Sequence, residues 1–297
     1  YVAAGTYGGD ANYMILNPEG TFSDQEDMQL PYPWYANGKS YGNGIGDFDN
    51  DGDLDYITAL GNYNPELGNV YSTIYIFENL ESVDQVVQFA HVVKEEVEPW
   101  GNAWVVEGYP GDMAVADFNG DGNLDFVLNH HRTPHCGLFL GNGRLGFDYQ
   151  QLSDITPDLS MSVDAADFNN DGKADFVIAP NDSNEPFYVY LGNGDGTFDQ
   201  KVSDRDPGLC PAYGVAAGDF VKDPDGIVDL AVSDTDVLEI YEGDGDGNFS
   251  LYKSTDAFPL NHSSLDNIDF DRDGDPDLVA ANYGDEVLAV NIKCYIR

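Results

Sequence analysis

The sequence has few basic residues and few cysteines. Its 297 residues include 12 Lys and Arg against 54 Asp and Glu, which gives a formal net charge of −42. A surface of that charge repels nucleic acids and anionic membranes, so we expect neither as a partner. Cys136, Cys210 and Cys294 are too few for a disulfide framework, and their odd number excludes complete pairing within the chain.

Long apolar runs, helical periodicity and familiar catalytic motifs are also missing. Without a long apolar run, we predict no transmembrane helix. The sequence contains no G-x-S-x-G, H-E-x-x-H or Walker motif and so gives no positive evidence for an enzyme. A glycosidase with paired carboxylates stays open, because the chain has so many acids. The chain begins at Tyr1 without Met or a signal peptide, which is consistent with a processed or partial product.

Aspartate, by contrast, is abundant and concentrated in short segments. Residues 46–56 read GDFDNDGDLDY, in which aspartates fall on alternate positions. Their like charges repel one another unless a cation lies between them, and Ca²⁺ binds about six to eight oxygen ligands from flexible loops of this kind. Gly52 allows the sharp turn that such a loop needs. Apolar residues on both sides predict a strand, a metal-binding loop and a second strand.

The acidic segment recurs along the chain. Its later copies are ADFNGDGNLDF at 116, ADFNNDGKADF at 166, GDFVKDPDGIVDL at 218 and IDFDRDGDPDL at 268, and the first aspartates are 70, 50, 52 and 50 residues apart. Glycine-rich turns recur in phase, as LNPEGTF at 16, LGNGRLGF at 140, LGNGDGTF at 191 and EGDGDGNF at 242. Four short strands in a period near fifty residues are typical of one β-propeller blade. The lack of flanking helices argues against an EF-hand.

These loops and turns resemble the FG-GAP or VCBS repeats, which are best known from the propeller head of integrin α subunits and from secreted microbial proteins. The resemblance covers nearly the whole chain and implies an all-β, calcium-binding propeller. It implies no single activity, because the family includes adhesion heads, lectins and lyase domains.

The resemblance also implies the calcium ligands. Side chains at loop positions 1, 3, 5 and 9 and the backbone carbonyl at position 7 would bind Ca²⁺. The candidates are, loop by loop, Asp47, Asp49, Asp51, Asp53 and Asp55; Asp117, Asn119, Asp121, Asn123 and Asp125; Asp167, Asn169, Asp171, Lys173 and Asp175; Asp219, Asp223, Asp225, Ile227 and Asp229; and Asp269, Asp271, Asp273, Asp275 and Asp277. The fourth loop has two extra residues that displace Asp219, so we expect a weaker or empty site there.

The predicted fold is a single β-propeller domain, 1–297, built of four-stranded blades. The blades would span roughly 1–30, 31–98, 99–154, 155–205, 206–255 and 256–297, counted from the repeat period. Six blades are expected, with seven as the alternative. The first blade would lack its inner strand and the last its outer strand. We expect another chain, or a segment absent from this sequence, to complete these edges by strand addition, with Cys294 positioned to lock the contact.

Two groups of residues are candidates for binding a ligand on the face opposite the acidic loops. Aromatic residues in two links would form a carbohydrate platform or else pack within the ring; these are Trp34, Tyr35, Tyr41, Trp100, Trp104 and Tyr109. A basic hairpin would bind a transition metal, serve a polysaccharide lyase, or form a locally hydrogen-bonded polar loop; it contains His130, His131, Arg132 and His135.

The function expected from the sequence is that of a secreted, calcium-stabilised propeller. It would serve adhesion, ligand binding or assembly outside the cell, with an extracellular protein or glycan as its partner and self-assembly through the terminal strands. A carbohydrate-binding lectin and a polysaccharide lyase are the alternatives.

Overall fold

The computed structural model describes residues 2–4, 12–16, 22–24, 39–64, 69–80, 88–91, 104–107, 109–131, 135–153, 160–180, 187–202, 212–221, 225–233, 237–255, 264–269 and 276–281. All regular secondary structure in these ranges is β-strand, which confirms the all-β prediction. Within the same ranges, no helical segment has the length and apolar character that crossing a bilayer requires. The chain divides into two compact units, one of 1–115, 123–133 and 137–150 and one of 116–122, 134–136 and 151–297.

The first unit contains a small sheet, a five-stranded sheet and most of a four-stranded sheet. The small sheet consists of β1 (Val2–Ala4), β2 (Asn12–Leu16) and β3 (Phe22–Asp24) in that order. The five-stranded sheet consists of β4 (Lys39–Gly46), β5 (Asp55–Asn64), β6 (Asn69–Leu80), β7 (Gln88–His91) and β8 (Trp104–Glu107). The four-stranded sheet consists of β9 (Tyr109–Ala116), β10 (Asp125–His131), β11 (His135–Gly141) and β12 (Phe147–Ser153).

The second unit contains two complete four-stranded sheets and one pair of strands. The first sheet consists of β13 (Ser160–Ala166), β14 (Asp175–Pro180), β15 (Tyr188–Gly192) and β16 (Phe198–Val202). The second consists of β17 (Gly214–Gly218), β18 (Asp229–Ser233), β19 (Leu238–Gly243) and β20 (Phe249–Thr255). The pair consists of β21 (Ser264–Ile268) and β22 (Asp277–Ala281). Both four-stranded sheets are antiparallel with strands in chain order, which is consistent with a propeller-like arrangement.

Strand β8 corrects one prediction from the sequence. Residues 104–107, expected in a link, pair instead with Tyr71–Ile74 of β6, while Phe77–Leu80 of the same strand pairs with β7. The local sequence Trp-Val-Val has high β propensity, and this preference favours pairing with the free half of the long β6 strand. The extra strand accounts for part of the 70-residue step between the first two loops.

Burial changes across each sheet of the second unit. Strands β14 and β18 are buried along their whole length, as their continuous apolar sequences indicate for strands covered on both faces. Strand β20, by contrast, is exposed over most of its length. The second strand of a sheet is therefore packed between neighbouring sheets, and the fourth faces solvent.

The first strands of consecutive sheets lie side by side in the second unit. The backbone N–H of Val215 on β17 donates to Ser162 Oγ on β13 at 3.2 Å, and the N–H of Ala217 donates to Asp164 Oδ2 at 2.7 Å. The carbonyl oxygen of Ala217 accepts a hydrogen bond from the side-chain amide of Asn267, on β21. Side chains of the two neighbouring strands thus satisfy backbone groups along β17 that have no strand partner there.

Apolar side chains fill the space between neighbouring sheets within each unit. In the first unit, one cluster joins the five-stranded sheet to β9–β12 and contains Phe48, Ile57, Ile76, Leu128, Phe139 and Phe147. In the second unit, one cluster joins β13–β16 to β17–β20 and contains Phe168, Val177, Val189, Leu230, Val232 and Tyr241. A further cluster joins β17–β20 to β21–β22. Burial of these apolar surfaces stabilises the packing of consecutive sheets.

We predict that Gly192→Ala destabilises the fold. A Cβ at Gly192 would overlap the backbone carbonyl oxygen of Ala174, so the backbone must shift to accommodate it. We expect the free energy of unfolding to fall by about 1–3 kcal/mol, as in other overpacked sites, in a urea titration. Lys253→Ala on the exposed strand β20 is the control and should change stability by less than about 0.5 kcal/mol. Equal unfolding midpoints for Gly192→Ala and the wild type would contradict the close packing.

Candidate metal sites

The first acidic loop, between β4 and β5, folds around its own carboxylates. Asp47 accepts the backbone N–H groups of Asp51 and Gly52, each at 3.0 Å. Asp49 Oδ1 accepts the N–H of Asp51 at 3.2 Å, and Asp51 Oδ1 accepts the N–H of Asp53 at 2.9 Å. These short-range bonds curl the backbone so that alternate side chains face the inside of the loop.

The third loop, between β13 and β14, repeats these bonds. Asp167 accepts the N–H groups of Asp171 at 3.1 Å and Gly172 at 2.8 Å, and Asn169 Oδ1 accepts the N–H of Asp171 at 3.0 Å. The second loop shows the same contacts from Asp117 to Asp121 and Gly122. Aspartate or asparagine at the first and third positions therefore sets the loop conformation as well as its charge.

The fourth loop position requires a left-handed backbone. Its φ is +62° at Asn50, +71° at Gly120 and +56° at Asn170. Asparagine and glycine tolerate this conformation better than other residues, which explains why only these two types stand at the fourth position of the first three loops.

The ninth-position aspartates are buried. Asp55, Asp125, Asp175, Asp229 and Asp277 are each between 0 and 4% exposed. Asp175 Oδ2 accepts the N–H of Phe168 at 2.8 Å, and its Oδ1 accepts the N–H of Gly192 at 2.7 Å. One carboxylate therefore joins the start of the acidic loop to the glycine-rich turn between the third and fourth strands.

The same carboxylate contacts recur in other sheets. Asp229 accepts the N–H groups of Phe220 at 2.9 Å and Gly243 at 3.0 Å. Asp55 accepts the N–H of Phe48 in the first loop, at 3.0 Å. This structural role was missed from the sequence, where the ninth residue was interpreted only as a metal ligand. The signal for it was the recurring glycine of the turn, which lies 16 residues after Asp125, 17 after Asp175 and 14 after Asp229.

Burial shifts the titration of these carboxyl groups. It raises the pKa of Asp175 to about 6 and that of Asp229 to about 6, and the backbone donors only partly oppose the shift. The charges of Asp167 and Asp171 raise the pKa of Asp175 further. Burial and the charges of Asp51 and Asp47 also raise the pKa of Asp49. A bound cation would relieve this repulsion.

Three carboxylates of the first loop converge in a way that fits calcium. One oxygen each from Asp47, Asp49 and Asp55 lies within 4.8 Å of the others. Oxygens that bind one Ca²⁺ at about 2.3–2.6 Å can be no more than about 5 Å apart, so the three can share an ion. An all-oxygen donor set of carboxylates suits a hard divalent cation, and Ca²⁺ in particular, because its coordination is flexible.

The fourth loop differs from the others in its backbone contacts. Val221, the second residue after Asp219, stands where the first three loops carry Asp or Asn, and its side chain is only 5% exposed. Its N–H donates to Asp229 Oδ2 at 2.7 Å, so that oxygen already accepts two backbone bonds. Asp225 Oδ1 accepts the N–H of Ile227 at 3.0 Å, which supports the assignment of Asp225 to the fifth position. Asp223 lies outside the described residues.

The fifth loop is described only at its two ends. Asp269 is exposed, and Asp277 is buried like the other ninth-position residues. Asp271, Asp273 and Asp275 lie outside the described residues. The metal assignment of these three residues stays a prediction from the sequence.

Glycine-rich turns of one sheet contact the acidic loop of the preceding sheet. In the second unit, Gly196 N donates to Phe118 O at 3.2 Å, and Gly247 N donates to Phe168 O at 3.1 Å. Phe249, which follows the second of these turns, packs edge-on against Phe168 with ring centroids 5.6 Å apart. Each of these two loops is thus covered by residues about 80 positions later in the chain.

The aromatic candidates for ligand binding are only partly described. Trp34, Tyr35 and Trp100 lie outside the described residues. Tyr41, Trp104 and Tyr109 belong to strands β4, β8 and β9, and their backbone positions alone are described.

The histidine candidates lie mostly within strands. Strand β10 extends to His131 and β11 begins at His135, so the hairpin connection is shorter than predicted, and Arg132 lies outside the described residues. The His130 side chain is wholly buried, as are the preceding β10 residues 125–129, although the strand is polar at this end. A buried imidazole does not contribute to an exposed binding surface, which favours the structural interpretation of His130.

We predict that Asp175→Ala destabilises the calcium-free protein far more than Asp171→Ala does. The first substitution leaves the N–H groups of Phe168 and Gly192 without their acceptor in a buried place, at an expected cost of about 2–4 kcal/mol in the free energy of unfolding. Asp171 is exposed, and its loss should cost about 0.5 kcal/mol or less. Urea unfolding at pH 7 after removal of calcium measures both. Equal effects of the two substitutions in calcium-free protein would contradict the structural role of the ninth residue and leave metal binding as its role.

Comparison with known proteins identifies the repeat. Residues 117–178, 167–223 and 222–280 each match the FG-GAP-like repeat, and together these segments cover more than half of the chain. No curated protein sequence matches the chain significantly. The matched segments contain the second to fifth acidic loops and the glycine-rich turns between them, which are the features that carried the resemblance. The chain belongs to the FG-GAP-like repeat family.

Proposed function

We propose that this protein is a secreted, calcium-stabilised β-propeller that serves adhesion, ligand binding or assembly outside the cell. Its partner would be an extracellular protein or a glycan. The convergence of Asp47, Asp49 and Asp55 carries the calcium part of the proposal, because a cation shared by the three carboxylates would relieve their mutual repulsion.

The ion would act structurally. Each loop connects the first and second strands of a sheet, so an ion held by residues of the first loop, Asp47 to Asp55, would fix the geometry between β4 and β5. Bound Ca²⁺ would supply the positive charge that the carboxylate oxygens of the loop coordinate. The first-loop residues supply only acceptor oxygens and backbone N–H groups, with no nucleophile or base beyond the carboxylates themselves.

The openness of these loops supports the proposed extracellular location. Asp51 and Asp171, at the fifth loop position, are exposed to solvent. Extracellular calcium modules typically bind with dissociation constants of about 10⁻⁴–10⁻³ M, and exposed ligands favour this weak range. Sites of that affinity fill only where calcium is abundant, as it is outside cells. The net charge of −42 is compatible with the same setting.

Six blades are the arrangement that the described sheets support. Six sheets are present in the described part of the chain, and four of them have four or more strands. The sheets nearest the two ends have three and two described strands. We propose that each sheet is one blade and that the terminal sheets take up strands from another chain or from a further segment during assembly.

We predict that calcium removal lowers the melting temperature. Ions that bind only the folded state stabilise it by about 2.7 kcal/mol per site at a hundredfold excess over the dissociation constant, which corresponds to a shift on the order of 5–10 °C. Differential scanning calorimetry with calcium, with magnesium and with excess chelator measures this shift. Asp49→Asn should reduce the calcium response, whereas Asp148→Asn on the exposed strand β12 should not.

The same preparations test the binding role. Calcium-loaded protein on arrays of glycans and of extracellular matrix proteins should show binding that chelation abolishes. Identical melting curves with calcium and with chelator would contradict the calcium proposal. Calcium-dependent melting without binding to any array component would instead restrict the function to assembly, which analytical ultracentrifugation at high concentration then tests.

We predict opposite pH responses with and without calcium. Burial raises the pKa of Asp175, Asp229 and Asp164 to about 6, above the usual value near 4. In calcium-free protein, their protonation favours the folded state, so stability should rise as pH falls from 7 to 5. With calcium, protons compete for ionised ligands such as Asp175, and stability should fall over the same range. Urea titrations at pH 5, 6 and 7 measure both trends, and trends of the same sign would contradict the prediction.

A further inference from the structure

The third acidic loop carries a basic residue inside the candidate metal site. Its seventh position is Lys173, whereas the other loops have Asp53, Asn123, Ile227 and Asp275 at the assigned equivalent. The resemblance to the family requires only a backbone carbonyl at this position, so a lysine is compatible with the motif. Its side chain nevertheless brings a second cation to a loop that would bind one.

Lys173 holds both oxygens of the fifth-position carboxylate. Its Nζ lies 3.1 Å from Asp171 Oδ2, and its backbone N–H donates to Asp171 Oδ1 at 3.0 Å. The ammonium group therefore neutralises one candidate calcium ligand of this loop.

The Lys173 side chain, 43% of which is exposed, also lies close to the glycine-rich turn. A Cβ built on Gly194, in the glycine-rich turn of the same sheet, would lie 3.0 Å from Lys173 Cδ. The alkyl chain thus lies against the backbone of the turn. The φ of Gly194 is +74°, a conformation that favours glycine. The turn therefore has no side chain at this position that would displace the lysine side chain. Contact along the chain limits the freedom that a surface lysine usually has, so the ion pair costs less side-chain entropy to form.

We propose that Lys173 lowers the calcium affinity of the third loop by acting as a tethered competing cation. The inference rests on the proposed binding of calcium by these loops. A calcium ion that uses Asp171 Oδ2 must displace the ammonium group, a step that the first and second loops, with Asp53 and Asn123 at the seventh position, do not require. The third loop would then fill at higher calcium concentrations than the first, and the protein would respond to calcium in steps.

The test is a calcium titration followed by NMR at two glycine amides. Gly172 reports the third loop and Gly52 the first, because the N–H of each donates to the first-position aspartate of its own loop. Lys173→Met keeps the packing of the alkyl chain and removes the charge. We expect the Gly172 midpoint to move to about twofold to fivefold lower calcium, the factor that corresponds to a surface ion pair, while the Gly52 midpoint stays unchanged.

Two further variants serve as controls. Lys253→Met removes an exposed lysine from β20 and should move neither midpoint. Lys173→Asn, which introduces the residue found at this position in the second loop, should act like Lys173→Met.

Each remaining outcome separates the inference from the proposed function. An unchanged Gly172 midpoint in both Lys173 variants would overturn the inference. If Gly52 responds to calcium and Gly172 does not in any variant, the inference is wrong while calcium binding by the first loop stands. If neither amide responds, the proposed calcium binding fails and the inference fails with it.

Discussion

The buried carboxylate at the ninth loop position is the contact on which the two four-stranded sheets of the second unit depend. Asp175 accepts one N–H from the acidic loop and one from the turn at the opposite end of the third strand. Because it is buried, its two bonds are not exchanged with water, and their loss leaves unsatisfied donors. The strand that begins at this aspartate is also the most buried of its sheet. Loop geometry and sheet packing are therefore fixed at the same residue.

This arrangement explains how the fold tolerates so much like charge. The first-position and third-position side chains accept backbone N–H groups, so part of their charge is compensated before any cation binds. The ninth position meets the same requirement through hydrogen bonds alone, and these only partly oppose the burial that raises the pKa of Asp175 to about 6. A cation would supply what the backbone donors leave uncompensated, and the loop conformation is set before it arrives.

The sequence predicted much of the fold because its signals are local and repeated. The aspartate and glycine spacing predicted the loops, the turns and the all-β class, and the matched segments confirm the FG-GAP resemblance. Strand β8 was not predicted, since its partner β6 is distant in sequence and only the unusual length of β6 creates a place for it. The burial of His130 was missed for a similar reason, because a polar residue at a strand end gives no sign of what packs over it.

The site was predictable in its residues and less so in their roles. The placing of aspartate at every second residue identified the carboxylates of the first loop, and three of these carboxylates converge. Two consequences required coordinates: that the ninth residue holds the sheet together, and that Val221 turns inward in the fourth loop. The first depends on backbone N–H groups, whose one trace in the sequence is the recurring glycine of the turn, and the second on packing that no short motif encodes.

The cover that a glycine-rich turn provides for the preceding acidic loop gives the repeat array a direction. Phe118 and Phe168 receive their backbone partners, Gly196 and Gly247, from the repeat that follows each of them. A segment excised as one sequence repeat thus contains an acidic loop without the turn that contacts it, and a turn without the acidic loop that it contacts. Deleting a repeat from the carboxyl-terminal side would uncover the loop before it, whereas deleting one from the amino-terminal side would not. A cut within a repeat, between its acidic loop and its turn, would separate two such loop–turn pairs and also the Asp175–Gly192 contact, whereas a cut between repeats separates one pair.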